Sequence, residues 1–326
     1  MRILNQAALA QVLSHEDCID ALIPAMKSVS SGDVEMPLRQ YLHIPDTAGK
    51  FTVMPGYLGR PRCFGVKLVS KYPREADSPY GSHVGAVMLF DAEMGIPTAL
   101  IDGSELTAIR TAAASALATK TLARPDSQIL TILGTGLQAY HHALAIATVR
   151  PLSQVRFWGR NKAHAEAMCS RIKLPDHIQV CSTETVADAV AGADIVCTTT
   201  SAKEPFLFGS QLQPGQHLNL VGAAIQEAAE VDTEVVRRGR YFVDSRASAR
   251  AQAGELAAVL AQGVEEADVI IGELGELLNE EVAGRTSDSD ITIYKSLGVA
   301  AQDLAAAVAA AAAAEEVDAG VVVDWS

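Results

Sequence analysis

The sequence lacks the patterns that mark metal-dependent, disulfide-bonded or nucleic-acid-binding proteins. Its five cysteines are scattered without any CxxC pair, which fits neither a disulfide framework nor a zinc site built on paired cysteines. The eight histidines form no HxxxH or HExxH spacing, so we predict no metal. A net charge of -13 without any block of lysine and arginine leaves no basic field for a phosphate backbone, and we expect no nucleic-acid partner.

The sequence also lacks a recognisable targeting or membrane segment. Its start, MRILNQAALAQVLSHED, has no basic region followed by an apolar stretch and a small-residue cleavage site. The alanine-rich tail over 291–314 is interrupted by Asp303, and alanine contributes little to membrane insertion. We therefore expect this tail to be one long helix of small residues packed on the protein, with no membrane partner and a cytoplasmic location.

The length of the chain and its pattern of helix and strand signals predict two domains. Its 326 residues, 49% hydrophobic and 20% charged, are enough for two separate cores. The N-terminal third mixes an amphipathic helix pattern from Ile19 to Met26 with short strand-like runs, which predicts an α+β arrangement. After an alanine-rich helix over 102–123, strands and helices alternate, which predicts a parallel, doubly wound α/β sheet with right-handed crossovers.

A glycine motif lies where this alternation begins. GTGLQA, residues 134–139, directly follows the apolar strand ILTIL and precedes a helix. In such a context Gly134 permits the tight turn, Gly136 lets the backbone approach a pyrophosphate, and Ala139 allows close helix–strand packing. We interpret the motif as a dinucleotide site contacted by Gly134, Thr135, Gly136, Gln138 and Ala139, the alternative being a plain tight turn.

The end of the next strand bears on the type of dinucleotide. An NAD-binding site usually has an acidic residue there for the ribose hydroxyls, whereas this chain has Arg160, Asn161 and Lys162. Because cations can face a 2′-phosphate, we predict NADPH, with NADH possible and a solvated charged loop as the alternative. Thr199 and Ser201 follow the strand DIVCTTT, at a sheet edge where ligands of such folds collect.

Segments along nearly the whole chain resemble the ornithine cyclodeaminase/μ-crystallin family. They are MPLRQ, GVKLVS, SHVGAVMLFDAEMGIPTALIDG, LTAIRTAAASALA, ILGTGLQA, VGA followed by AEVD, and ITIYKSLGVAAQD. The resemblance implies a Rossmann domain inserted in a discontinuous α+β substrate and dimerisation domain. For this chain we expect the NAD(P)-binding domain over 121–299, the substrate domain over 1–120 plus 300–326, and a homodimer.

The resemblance also implies a substrate carboxylate held by three cations. The matching residues are Arg39 in MPLRQ, Lys67 in GVKLV and Arg110 in AIRTAA. Arg110 stands in an otherwise apolar, small-residue helix, where an unpaired cation would be costly. Ser82 of GSHVG is a further expected substrate contact, and the neighbouring His83 is more often structural.

Other matched positions have less distinctive roles. Val221 and Ser296 match family segments, and we expect them to contact the cofactor, Ser296 with Gly298 near the nicotinamide. For Ser296 and Gly298 a helix start is the alternative. Glu230 and Asp303 also recur in the family pattern, and we expect them to cap or pair.

One departure from the cyclodeaminases decides the predicted reaction. Those enzymes resemble one another in a GGD or GAD segment whose aspartate handles the substrate amine, and here Ala224 occupies that position, where it can transfer no proton. An upstream glutamate is also replaced, by Thr52 or a neighbour. We therefore predict NAD(P)H-dependent reduction of small cyclic imino acids, 1-pyrroline-2-carboxylate and 1-piperideine-2-carboxylate, to proline and pipecolate. The predicted proton donor is Lys67, flanked by two arginines that should lower its pKa, or a water molecule beside it.

Other functions stay open from the sequence. One is an amino acid dehydrogenase for alanine or arginine, in which the imine forms from a 2-oxo acid and ammonia. Another is a true cyclodeaminase with a different group in place of the aspartate. A third, outside enzymes, is a crystallin-like protein that binds a cofactor or small ligand. Without the family resemblance, the sequence supports only a Rossmann-type enzyme of unknown substrate.

Overall fold

The structure is a computed structural model that describes residues 1–74, 78, 80–81 and 83–325. It divides into two compact units, the first comprising Met1–Arg110 with Val299–Ser326 and the second Thr111–Gly298. The first division falls inside a continuous helix, ten residues before the border at residue 120 that the sequence analysis used. Periodicity alone cannot cut a helix, since its pattern continues across the change of neighbours.

The strands and helices follow in chain order. The strands are β1 (Arg2–Leu4), β2 (Val34–Glu35), β3 (Gln40–His43), β4 (Lys50–Leu58), β5 (Cys63–Lys71), β6 (His83–Phe90), β7 (Pro97–Asp102), β8 (Ile129–Leu133), β9 (Gln154–Trp158), β10 (Gln179–Ser182), β11 (Ile195–Thr198), β12 (His217–Leu220), β13 (Gly239–Val243), β14 (Ile270–Glu273), β15 (Ile291–Lys295) and β16 (Val321–Val322). The helices are α1 (Gln6–Val12), α2 (His15–Ser31), α3 (Gly103–Leu122), α4 (Leu137–Val149), α5 (Lys162–Arg171), α6 (Val186–Val190), α7 (Thr233–Arg238), α8 (Arg246–Gln252), α9 (Gly254–Leu260), α10 (Glu266–Val269), α11 (Leu274–Leu278) and α12 (Ala300–Glu316).

The first unit is built on a mixed sheet with the strand order β16-β1-β7-β6-β5-β4-β2, and β3 pairs with β4 at one side. Only β1 and β7 run parallel among the described pairs of this sheet. Helix α12 packs against α2 and on strands β4 to β6. Glycine makes this approach possible: a Cβ at Gly65 would lie 2.8 Å from Leu304 Cδ2, well inside van der Waals contact. The alanine-rich sequence of α12 is thus explained by close packing on a sheet.

The second unit is a parallel sheet of eight strands in the order β10-β9-β8-β11-β12-β15-β13-β14. Its central strands are buried along their length, as continuous apolar runs such as ILTIL indicate for a sheet covered on both faces. The strand order reverses between β8 and β11, the position where ligands of doubly wound sheets bind. The predicted doubly wound α/β fold is confirmed.

The expectation of one long helix over 291–314 was wrong in its first part. Residues Ile291–Lys295 form strand β15, which pairs in parallel with β12 and β13, and the helix begins only at Ala300. The β-branched residues of ITIYK favour a strand. Pairing with β12 on one side and β13 on the other satisfies the backbone of this segment. Within the described residues, no helix is long and apolar enough to cross a membrane.

Candidate active-site residues in the two units

In the first unit, two of the three predicted cations meet around one carboxylate. Lys67 Nζ and Arg110 Nε each donate to Oδ1 of Asp303 at 2.9 Å. All three residues are buried, with exposed fractions of 4%, 5% and 1%. Asp303 therefore has the pairing role that the sequence analysis expected, and its partners are the two cations predicted to hold a substrate carboxylate.

The secondary structure explains why these groups converge. Lys67 lies two residues after Gly65 on β5, hence on the same face of the strand, and Gly65 faces Leu304 of α12. Asp303 stands in the first turn of α12. Gln302, its neighbour, accepts a hydrogen bond from Arg110 Nη1 at 2.7 Å. The guanidinium is therefore fixed along two of its edges.

Part of the hydrogen-bonding capacity of this cluster is unused. Asp303 Oδ2 is buried with no hydrogen-bond partner among the described residues. Among the described residues, Lys67 donates one of its three N–H groups, and Nη2 of Arg110 has no hydrogen-bond partner. Because buried polar groups are normally satisfied, the unused donors point to a small anionic ligand.

Burial and charge shift the ionisation of this cluster. Burial lowers the pKa of Lys67 to about 8, Asp303 opposes that shift, and the charges of Arg110 and Arg39 add to it. Burial is therefore a larger cause than the flanking arginines on which the sequence argument relied. Burial alone would raise the pKa of Asp303, but Arg110 and Lys67 outweigh it and hold that pKa below its ordinary value.

The other predicted substrate contacts are less closely defined. Arg39 is half-buried just before β3, and its charge acts on Lys67. Ser82 lies outside the described residues. His83 begins β6 and is exposed, but desolvation of its imidazole, followed by the charges of Lys71 and Lys67, lowers its pKa to about 4. The imidazole is thus neutral near pH 7.

In the second unit, the glycine motif forms the predicted turn between β8 and α4. Gly134 has a φ of 145°, and a Cβ there would lie 2.3 Å from Thr199 Oγ1, so the position requires glycine. Gly136 is the N-cap of α4 without a side-chain cap, and a Cβ there would meet nothing within 4 Å. Ala139 is buried. A helix N-terminus with open space at its cap fits a bound pyrophosphate.

The other predicted cofactor residues of this unit lie at the same edge of the sheet. Thr199, Val221 and Ser296 directly follow β11, β12 and β15, and parallel strands bring their carboxyl ends together. Ser296 Oγ is buried and has no hydrogen-bond partner among the described residues. Ser201 is exposed, two residues beyond Thr199, while Thr135 and Gln138 are half-buried.

The residues predicted to choose the dinucleotide differ in their surroundings. Asn161 caps α5, since its side chain accepts from Ala163 N at 3.0 Å. Lys162 forms an exposed ion pair with Glu184 at 2.5 Å. Arg160 is exposed and has no ion pair within the described residues. Of the three, Arg160 is the side chain available to a ligand.

Glu230 organises the ends of two strands, a more specific role than the capping or pairing expected from the sequence. The buried carboxylate accepts hydrogen bonds from Thr198 Oγ1 at 2.7 Å, from Thr200 N at 2.8 Å and from Gly222 N at 2.7 Å. Thr200 Oγ1 also donates to it, at 2.7 Å. The side chain thereby ties together the segments that follow β11 and β12, where ligand contacts are predicted.

A buried ion pair that was not expected from the sequence contacts the residue before Ala224. Lys295 Nζ lies 3.0 Å from Glu255 Oε1 and donates to Ala223 O at 2.5 Å. Tyr241 Oη donates to the same Glu255 oxygen at 2.9 Å. Lys295 is the last residue of the largely apolar strand ITIYK, and a buried cation there indicates a buried partner. Its partner, 40 residues away in sequence (295 − 255), shows no such signal.

Comparison with known proteins gives matches along nearly the full chain. The model of the ornithine cyclodeaminase/mu-crystallin family matches residues 2–317. The ketimine reductase mu-crystallin of Mus musculus is 36% identical over 304 residues, covering 91% of this chain and 93% of its own.

Two solved structures have the same fold. The Δ1-pyrroline-2-carboxylate reductase of Thermococcus litoralis, solved in complex with NADH and L-proline, has a TM-score of 0.94 and 31% identity and covers 99% of this chain and 100% of its own. An archaeal alanine dehydrogenase dimer with bound NAD has a TM-score of 0.90 and 26% identity, with 100% and 99% coverage.

Proposed function

Because this chain belongs to the ornithine cyclodeaminase/mu-crystallin family, we propose that it reduces small cyclic imino acids with a nicotinamide cofactor. The substrates are 1-pyrroline-2-carboxylate and 1-piperideine-2-carboxylate, and the products are proline and pipecolate. The buried cluster of Lys67, Arg110 and Asp303, with its unused donors, is the observation that carries the proposal. The relatives that act as ketimine and pyrroline-2-carboxylate reductases support it.

The first unit supplies the substrate chemistry in this proposal. Nη2 of Arg110, together with Arg39 and Ser82, binds the substrate carboxylate and so fixes the plane of the imine. The Lys67 ammonium donates a proton to the imine nitrogen. The neutral amine of Lys67 that results then takes up a proton from water. A pKa of about 8 leaves Lys67 mostly protonated at neutral pH yet a stronger acid than an ordinary lysine, as a general acid requires.

The second unit binds the cofactor in this proposal. Gly134, Thr135, Gly136, Gln138 and Ala139 hold the pyrophosphate at the start of α4, while Thr199, Ser201, Val221 and Ser296 lie along the strand ends. When bound, the nicotinamide supplies the hydride that adds to the imine carbon. The buried hydroxyl of Ser296, which lacks a partner among the described residues, is available to its amide.

We further propose NADPH as the preferred cofactor, with NADH also accepted. Arg160 is the residue that contacts the 2′-phosphate, since Lys162 is paired with Glu184 and Asn161 caps a helix. Two neighbours with the same fold were solved with NADH and with NAD, and both support a nicotinamide cofactor.

We also propose a cytoplasmic homodimer formed through the first unit. All four residues of β3 are exposed, and the apolar side chains of Leu38, Tyr41 and Leu42 have exposed fractions of 49%, 47% and 59%. Exposed apolar side chains grouped on an outer strand and just before it mark an interaction surface. A second copy is the occupant we propose, and the alanine dehydrogenase neighbour was solved as a dimer.

The test of function follows the oxidation of NADPH, and in parallel of NADH, by the purified protein. Rapid oxidation with 1-pyrroline-2-carboxylate, and none with ornithine, is the expected result. Faster turnover of pyruvate plus ammonia would indicate an amino acid dehydrogenase instead. Conversion of ornithine to proline without net cofactor consumption would restore the cyclodeaminase, against the inference from Ala224. Binding of cofactor without any turnover would indicate a crystallin-like binding protein.

A further inference from the structure

Asp303 contacts both cations that the proposed reaction uses. One oxygen, Oδ1, accepts from Lys67 Nζ and from Arg110 Nε, each at 2.9 Å. Without that carboxylate, an ammonium and a guanidinium of the same sign would share a buried space. The carboxylate therefore does more than neutralise charge, because it also fixes where each cation lies.

We propose that Asp303 is a positioning residue for imine reduction: it holds Lys67 in its protonated form, orients Arg110, and so sets the alkaline limit of the active pH range. The inference rests on the reductase function proposed above. It goes beyond it by assigning a task to a carboxylate that neither donates the proton nor binds the substrate carboxylate.

The contacts of Arg110 support the orienting part. Nε is bound to Asp303 and Nη1 to Gln302 Oε1 at 2.7 Å. These two residues are adjacent in the first turn of α12, so one rigid element fixes the guanidinium. Nη2 is left for the substrate carboxylate, as the unused donor of a side chain whose other edges are occupied.

The surroundings of Lys67 support the protonation part. In register on the neighbouring strands it faces Met54 and Val87, both apolar. The charged or titratable groups near the cluster come from the neighbouring helices, strand β6 and the segment before β3: Asp303 on α12, Arg110 on α3, Cys18 on α2, His83 on β6, and Arg39.

Of these groups, Lys67 is the one that titrates in the usual assay range. Burial raises the pKa of Cys18 to about 12, and desolvation of the exposed His83 lowers its pKa to about 4. Both are therefore neutral between about pH 6 and pH 10, whereas Asp303, whose pKa lies below its ordinary value, stays ionised. Asp303 is the neighbour that favours the charged form of Lys67.

The direction of the effect follows. If protonated Lys67 is the active form, kcat/KM falls as the pH rises through the pKa of Lys67. Loss of the negative charge in Asp303→Asn lowers that pKa, so the alkaline limb of the profile moves to lower pH by ~1 to 3 units. A carboxylate with a purely structural role would change the height of the profile and leave the limb in place.

The experiment records kcat/KM for 1-pyrroline-2-carboxylate against pH in the wild type, in Asp303→Asn and in a matched control, Glu105→Gln. Glu105 is also a buried carboxylate of the first unit and lies on α3 with Arg110, but it pairs with Gln6. We expect the alkaline limb to move only in Asp303→Asn. A limb that stays in place in Asp303→Asn, or moves equally in Glu105→Gln, would overturn the proposal.

A second measurement is independent of catalysis, and its wild-type arm does not depend on the folding of any aspartate variant. The lysine side-chain resonances of the free protein, labelled at Cε and assigned with Lys67→Arg, report the pKa of Lys67 directly. In the wild type it should match the alkaline limb of kcat/KM, and in Asp303→Asn it should fall. A wild-type Lys67 that titrates like an ordinary lysine would contradict the proposal. If the wild type reduces no imine at all, the reductase function fails instead, and the resonance shift separates the two outcomes.

Discussion

Among single residues, Lys67 illustrates how position changes chemistry. An ordinary lysine has a pKa too high to lose its proton readily near neutrality, whereas burial on β5 lowers the pKa of Lys67 to about 8. Asp303 limits that shift and keeps the side chain from losing its charge altogether. Lys71, at the exposed end of the same strand, is not bonded to Asp303.

Replacing Lys67 by methionine, which has nearly the same length, should abolish most activity. We expect kcat/KM for 1-pyrroline-2-carboxylate to fall by ~10²-fold or more, because a general acid contributes about that much. Steady-state kinetics measure the loss, and circular dichroism checks the fold. Lys71→Met is the control, at the exposed end of the same strand. Activity within a few-fold of the wild type in Lys67→Met would rule out its role as proton donor.

Arg160 carries the prediction about the cofactor. Arg160→Gln should raise the KM for NADPH by roughly 10- to 100-fold, the size of one or two charge-assisted hydrogen bonds, and leave the KM for NADH nearly unchanged. Lys162→Gln should have the smaller effect on the KM for NADPH, because Lys162 is already paired with Glu184. An equal change with both cofactors, or none, would show that the 2′-phosphate is not bound here.

At the scale of secondary-structure elements, the turn between β8 and α4 separates two requirements for glycine. At Gly134 the backbone itself demands it, because φ is 145° and Thr199 occupies the space of a Cβ. At Gly136 the protein leaves the space open, so we expect a requirement for glycine there only where a bound ligand needs the space. Two substitutions of the same size can therefore distinguish folding from binding.

Gly134→Ala should lose both stability and cofactor binding, whereas Gly136→Ala should lose cofactor binding alone. Strain of the kind that Gly134→Ala introduces costs ~1 to 3 kcal/mol. Thermal unfolding measures the first property and titration of NADH fluorescence the second. If Gly136→Ala bound the cofactor as tightly as the wild type, the pyrophosphate would not lie at this helix.

Elements also carry positions that no local pattern reveals. Glu230 connects the segments after β11 and β12 through four hydrogen bonds, and the Lys295–Glu255 pair supports the carbonyl of Ala223. Both groups bond to the backbone of segments that adjoin the predicted ligand contacts. These groups could influence a reaction only by positioning the backbone of the segments to which they bond.

At the scale of the whole molecule, the outer strand β3 bears on assembly. Leu42→Asp should shift the protein from dimer to monomer, because a charge on an apolar interface is costly to bury. Size-exclusion chromatography with light scattering measures the mass, and Met94→Asp, another exposed apolar residue of the same unit, is the control. A wild type that is monomeric at every concentration tested would contradict the proposed homodimer.

Much of this architecture follows from the sequence because it depends on neighbours along the chain. The apolar runs and glycine turns predicted the doubly wound sheet, since strand and helix periods are local properties. The tail shows the limit of such reasoning. ITIYK forms a strand that pairs with β12 and β13, and only the tertiary structure shows that these two strands lie on either side of it.

The sequence by itself determined the fold class, the glycine turn and the identity of the three candidate cations, which are matters of local pattern and resemblance. Only the tertiary structure decided which charges pair. Asp303 is 236 residues from Lys67 and 193 from Arg110 along the chain, yet it accepts from both at 2.9 Å. The reason is physical: the pKa of a buried group depends on how deeply it is buried and which charges surround it, and both are set by residues far apart in sequence.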